Sequence, residues 1–309
     1  MFGLRYHVAS LAAVFLALAV GILLGVAVSG KLGDVGEGAE LQNLRDENER
    51  LQQDLEAAQA AADAANDQGE GAAELFARTY PTLMDGRLEG KNVGIVFLGP
   101  SDGSIRAEVE GALADADGGA PARVLALDVP VDGADLRDVL EGDEVLAAYV
   151  DEEDDYSDLG RGLGQELAEE EDMLWTVLAS QLVEEQSGSP TVPIDAAIVV
   201  RTWTPPEEED GPEAAEEAEA TASLLDGIVR GLDGAGIPGV GVGDGETPTE
   251  VLEEYRDQGI SSVDDIDVPA GRLALALLLA GAEPGQYGFG DGATDGVVPP
   301  IESLPVEGE

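Results

Sequence analysis

Cysteine is absent from the 309 residues, and there is one histidine, His7. The first absence excludes disulfides, thiolate metal sites and cysteine nucleophiles. The second excludes histidine-based catalytic triads and His-rich metal sites anywhere beyond the first few residues. Basic residues are scarce as well: 15 Lys and Arg against 65 Asp and Glu, for a net charge of −50. A surface of that sign repels nucleic acid and anionic lipid headgroups, so DNA and RNA binding are excluded. Adaptation to salt, solubility, or docking of basic partners would each produce such an excess.

What the chain does have is order in its first 65 residues. Val8 to Val28 is apolar except for Ser10. As a helix at about 1.5 Å per residue it is roughly 31 Å long, the thickness of a hydrocarbon core. The reading is a retained single-pass anchor over 1–30. A cleaved signal peptide is the alternative, with Arg5 as its n-region and Ala27-Val28-Ser29 as its cleavage site. Basic residues favour a cytoplasmic N-terminus by a small margin, which places the remainder of the chain outside the cell membrane. Small residues recur every fourth position, and Gly21 and Gly25 form a GxxxG pair that lets two helices approach closely in lipid.

A linker and a heptad run occupy 31–66. Leu41, Asn48, Leu55 and Ala62 fall at a, and Leu44, Leu51, Ala58 and Ala65 at d. Glu40 at g meets Arg45 at e of a second chain, and a lone Asn48 at a pairs best with its own copy. The expected interface of a parallel homodimer is therefore Leu41, Leu44, Asn48, Leu51, Leu55, Gly21 and Gly25. A single amphipathic helix packed on its own domain is the competing reading. Asp67 to Gly71 is expected to break the helix, leaving 67–87 as a connector.

From 88 to 284 short apolar runs alternate with helical patterns. Strands are predicted at Asn92–Leu98, Arg123–Val129, Asp195–Arg201, Gly239–Val242 and Ser261–Val263. Helices are predicted at Ile105–Asp115, Ala134–Leu140, Leu159–Glu185, Ala214–Leu232, Thr249–Asp257 and Ala270–Ala280. This alternation predicts a parallel-sheet, three-layer-like α/β domain, with a helical insertion over 131–188. An irregular acidic tail is expected over 285–309.

No catalytic constellation is visible. Ser101 and Ser104 follow the first strand but have no histidine base, and Ser104 is a candidate helix cap. Gly239 to Gly245 enters a Gly-rich turn, yet it lacks the Gly-Lys-Ser/Thr of a phosphate loop and carries Asp244 where GxGxxG needs Gly. The acidic runs Asp151–Asp155, Glu169–Asp172 and Glu207–Asp210 have no calcium-loop spacing and read as solvated surface. No cofactor, no metal site and no enzymatic activity are expected.

The opening residues, Phe2-Gly3-Leu4-Arg5-Tyr6-His7-Val8-Ala9-Ser10-Leu11-Ala12-Ala13-Val14-Phe15-Leu16-Ala17-Leu18 through Gly21 and Gly25, resemble the start of the actinobacterial MctB copper-transporter family. That resemblance implies an anchor, a coiled coil and an outer α/β domain, with copper efflux or homeostasis at the envelope as the role and copper as cargo. A branch of the family, the cell-separation protein SteB, implies instead an anchored partner in control of cell-wall hydrolysis. Soft copper sites use Cys, Met or His. Here Met1, His7, Met84 and Met173 are the whole inventory, so the residues favour a dimeric scaffold that binds an envelope partner.

Overall fold

A computed structural model describes residues 14–22, 37–150, 155–169, 173–189, 192–206 and 211–301. The chain divides into two compact units, Met1–Ala73 and Glu74–Glu309. In the first, residues 14–22 are helical and exposed, including Phe15 and Leu16. Among the described residues no helix is long and apolar enough to cross a membrane. The rest of the Val8–Val28 run lies outside them. Helix α1, Glu37–Met84, has 48 residues. It does not break at Asp67–Gly71: Gly69 and Gly71 are both helical, and a Cβ at either would meet nothing within 4 Å. Two glycines cost a helix about 2 kcal/mol relative to alanine, too little to end one flanked by alanine on both sides.

The second unit is a seven-stranded sheet: β1 (Val93–Leu98), β2 (Arg123–Leu127), β3 (Val183–Gly188), β4 (Ala196–Arg201), β5 (Gly239–Val242), β6 (Ser261–Val263) and β7 (Gln286–Tyr287). Their spatial order is β3-β2-β1-β4-β5-β6-β7, with β3 alone antiparallel. Its parallel part has the doubly wound order in which the chain reverses direction across the sheet between β1 and β4.

The apolar strands are buried on both faces, as parallel strands between helical layers must be. Val96, Leu98, Leu125, Leu127 and Val199 point to one side. There they meet α3 (Gly133–Glu141), α4 (Ser157–Leu167), α5 (Met173–Leu182), α6 (Pro212–Gly234) and α7 (Thr249–Asp257). Ile95, Phe97, Val124, Ala126 and Ile198 point to the other, against α2 (Gly103–Asp115), α8 (Pro269–Leu279) and the final turns of α1, where Met84 is fully buried. The result is a three-layer α/β/α unit.

Two expectations fail here for a common reason. The helical pattern predicted over Leu159–Glu185 is two helices followed by edge strand β3. Val-Glu-Glu-Gln-Ser-Gly carries no strand periodicity of its own; pairing with β2 and an ion pair from Arg106 to Glu185 (2.7 Å) hold it. The tail is not irregular from 285: Gln286 and Tyr287 extend the sheet beside β6, and Tyr287 is buried. Ser104 is not the cap of α2. Asp102 is, accepting from the Ser104 and Ile105 amides at 2.8 and 3.0 Å.

Helices α4 and α6 touch main chain to main chain. Gly160 and Gly164 face Gly227 and Gly231, so that a Cβ on Gly160 would sit 2.9 Å from the Gly227 Cα, and one on Gly164 2.9 Å from the Gly231 Cα. Each would also overlap a carbonyl oxygen of the facing helix. Because backbone cannot yield as a side chain can, Gly164→Ala or Gly231→Ala is expected to destabilise by about 1–3 kcal/mol. Gly69→Ala, in open space on α1, is expected to be neutral or to stabilise by up to about 1 kcal/mol. Urea unfolding of the three variants would check the contrast.

Candidate functional site

In doubly wound sheets ligands bind outside the carboxyl ends of the strands, where the strand order reverses. That crevice lies between the loops after β1 and β4. The chain fills it with its own atoms. Gly99, at φ 136°, has no room for a side chain: a Cβ there would meet the Thr202 Oγ1 at 2.6 Å and the Trp203 nitrogen at 2.7 Å. The Thr202 hydroxyl donates to the Pro100 carbonyl at 2.7 Å, and the Trp203 amide donates to the Leu98 carbonyl at 3.1 Å. Trp203 is buried in the core on that side. At the start of α2, where a bound phosphate would sit against free amides, the Asp102 carboxylate already takes the donors.

The second Gly-rich turn is closed in the same way. Asp244 accepts from the Glu246 amide (3.1 Å) and the Thr247 hydroxyl (2.9 Å), while the Thr247 oxygen accepts from the Asp244 amide at 2.9 Å. The Gly243 amide is bonded to the Val263 carbonyl. Gly239–Gly245 is therefore a strand and a tight turn, as its residues predict.

Charge sharpens the exclusion. The loops following β1, β2, β4, β5, β6 and β7 contain Asp102, Asp128, Asp132, Asp244, Glu246, Asp264, Asp265 and others, but no Lys, Arg or His. A cleft of about 180 Å³ at the end of β2 is lined by Asp128, Asp132, Asp135 and Gln181 beside Pro130, Val131 and Leu136. Among the described residues no group of three or more carboxylates is arranged to hold a metal. These loops offer an anionic cofactor no cationic partner, and the Arg201 guanidinium at the end of β4 is already paired with Asp226 and Glu254.

The most unusual group on it is Asp264, 5% exposed at the end of β6. Its Oδ1 accepts from the Phe289 amide (3.0 Å) and its Oδ2 from the Gly290 amide (2.8 Å), tying the 288–290 loop to the sheet. Asp265 accepts from the same Phe289 amide. Burial, and then the hydrogen bond and charge of Asp265, push the Asp264 carboxyl up to about 6. Sequence reasoning passed over it as one more acid.

Gly21 and the predicted interface residues from Leu41 to Leu55 fall on two helical stretches. Leu44, Leu51 and Leu55 are 52%, 63% and 59% exposed, and Asn48 accepts from the Gln52 side chain at 3.0 Å. Gly21 is helical with open space around it. The side chain of Leu41 and all of Gly25 lie outside the described residues, as do the acidic positions 151–154, 170–172 and 207–210.

Asp264 gives a signed prediction. Its native carboxyl binds its proton more tightly than an ordinary aspartate, so its contribution to stability is full below about pH 4 and is lost as pH rises through about 6. Asp265→Asn removes the neighbouring charge. Melting temperatures between pH 4 and 7 are expected to show a shallower fall in the variant than in the wild type over that window.

A closed crevice, edge loops without basic residues and an N-terminal apolar run set the terms for comparison with known proteins. No curated protein matches the chain. A family model described as "Copper transport outer membrane protein, MctB" matches residues 1–299. The chain belongs to that MctB family.

Proposed function

We propose that this member of the family is a membrane-anchored, non-enzymatic, dimeric scaffold of the cell envelope, acting through protein contacts. The observation that carries this reading is the self-filled switch-point crevice. The position at which a doubly wound domain binds its ligand is occupied by Trp203, Thr202 and the Asp102 carboxylate. Val8–Val28 supplies the single-pass anchor, with the α/β unit outside the cell membrane, and Leu41 to Leu55 with Gly21 and Gly25 the pairing surface.

Donor chemistry supports the scaffold over direct copper handling. Cu(I) prefers thiolate, thioether or imidazole. The chain has no Cys, and among the described residues Met84 is fully buried in the core on one side of the sheet, while Met173, 45% exposed, begins α5 on the other. One apolar helix does not line a pore. The family match favours a second reading, a part in copper transport at the envelope; there the chain would assist a protein that holds the metal.

Deleting the gene and scoring both phenotypes separates the readings. The scaffold predicts unchanged copper tolerance and cell copper, with chained or misdivided cells. Copper-sensitive growth with normal separation would overturn it. Titrating the chain with Cu(I) is expected to show no sub-micromolar site.

A further inference from the structure

We infer that α1 divides one apolar stripe between two partners: a parallel second copy of this chain up to about Ala65, and its own α/β unit from Phe76 onward. The inference rests on the dimer proposed above and fixes its direction and its end.

The direction follows from charge. In the heptad frame the e positions are Arg45, Gln52, Gln59 and Asn66, while g carries Glu40, Glu47 and Asp54. In a chain with 65 acids, none falls at e. A parallel pair sets each g against the e of the other chain, matching Glu40 with Arg45, Glu47 with Gln52 and Asp54 with Gln59, so every contact is attractive or neutral. An antiparallel pair would set g against g and bring the acids together. Leu44, Leu51 and Leu55, between these flanks, stand in water in the single chain. A second copy is the partner whose charges fit.

The end follows from burial. Continuing the same frame, position a falls on Gly69, Phe76 and Leu83. Phe76, Tyr80 and Leu83 pack against the core beneath α2 and α8, and the Tyr80 hydroxyl donates to Asp115 at 2.9 Å. A residue packed on its own unit is not available to a partner helix. Pairing therefore stops within the Ala- and Gly-rich residues 66–75.

The absence of cysteine makes the test clean. Leu51→Cys (d, upstream), Thr79→Cys (d in the continued frame, exposed) and Arg50→Cys (c, facing outward) are made in the full chain and oxidised in detergent. A disulfide needs Cα atoms within about 7 Å. Leu51→Cys is expected to run mostly as a covalent dimer, and the other two at least about tenfold less under conditions set by that geometry. Equal cross-linking of Leu51→Cys and Thr79→Cys would leave the dimer standing but overturn the division of the stripe. No cross-linking at Leu51→Cys, or equal cross-linking of all three, would overturn the pairing itself. The scaffold reading is decided separately by the deletion phenotypes.

Discussion

The contact on which the α/β unit depends is the meeting of α4 and α6 at Gly160, Gly164, Gly227 and Gly231. With no side chains between them the two backbones approach as closely as helices can, and dispersion over that contact replaces what larger residues would bury. The approach matters because α6 anchors several other parts. Its Thr221 hydroxyl accepts from the Val131 amide at 2.9 Å, holding the loop after β2. Its Ser223 accepts from the Tyr156 amide at 3.0 Å, fixing the entry to α4. Its Asp226 pairs with Arg201 at 3.2 Å and accepts from Gln258 at 2.6 Å, tying β4 and α7 to the same helix. The buried Tyr255 completes this corner: its oxygen accepts from the Arg201 amide at 2.7 Å, and burial holds the phenol above its usual range. If α6 moved outward by the width of a methyl group, the bonds from Thr221, Ser223 and Asp226 would lengthen together.

The same economy of space explains the carboxyl edge of the sheet. A doubly wound domain that binds a nucleotide keeps its first turn open and its helix amides free. Here the Thr202–Pro100 hydrogen bond draws the two central loops together, and Asp102 supplies from within the chain the negative charge that a phosphate would bring. Fold and function separate at this point. The topology is that of a ligand-binding domain, while the residues at its switch point form part of the core.

Much of the fold was legible because its strands are short apolar blocks between turn residues. Gly239–Val242, Ser261–Val263 and Thr249–Asp257 stand where their patterns put them. Elements without a local signal were not. β3 is polar along its length and exists through its pairing with β2, and β7 is two residues long. The α1 helix outlasts Asp67–Gly71 because propensity is a weak penalty spread over many favourable residues. The α4–α6 contact did have a signal. Gly-Arg-Gly-Leu-Gly at 160–164 and Gly-Ile-Val-Arg-Gly at 227–231 carry the spacing read at Gly21 and Gly25. The spacing marks close helix contact wherever two such helices meet, in lipid or in a water-soluble core. Asp264 was invisible for the opposite reason: in a chain with 65 acids, only burial distinguishes one carboxyl from the rest.

The family description and the donor set of this chain then have to be reconciled chemically. Carboxylates are hard donors, suited to ions such as Mg²⁺ and Ca²⁺, and they are poor ligands for monovalent copper. A protein that gripped copper itself would need soft side chains converging from different elements. Met84 is enclosed by the core and Met173 lies on the opposite face of the sheet, in α5. What the chain offers instead, on the proposed reading, is an address, a stripe for self-association and an acidic surface whose switch-point crevice is filled by its own residues. On the proposed reading, its contribution to a copper-transport family is positional. It would set where an envelope assembly stands and with how many copies, while metal coordination would fall to a partner whose own residues carry sulfur or imidazole.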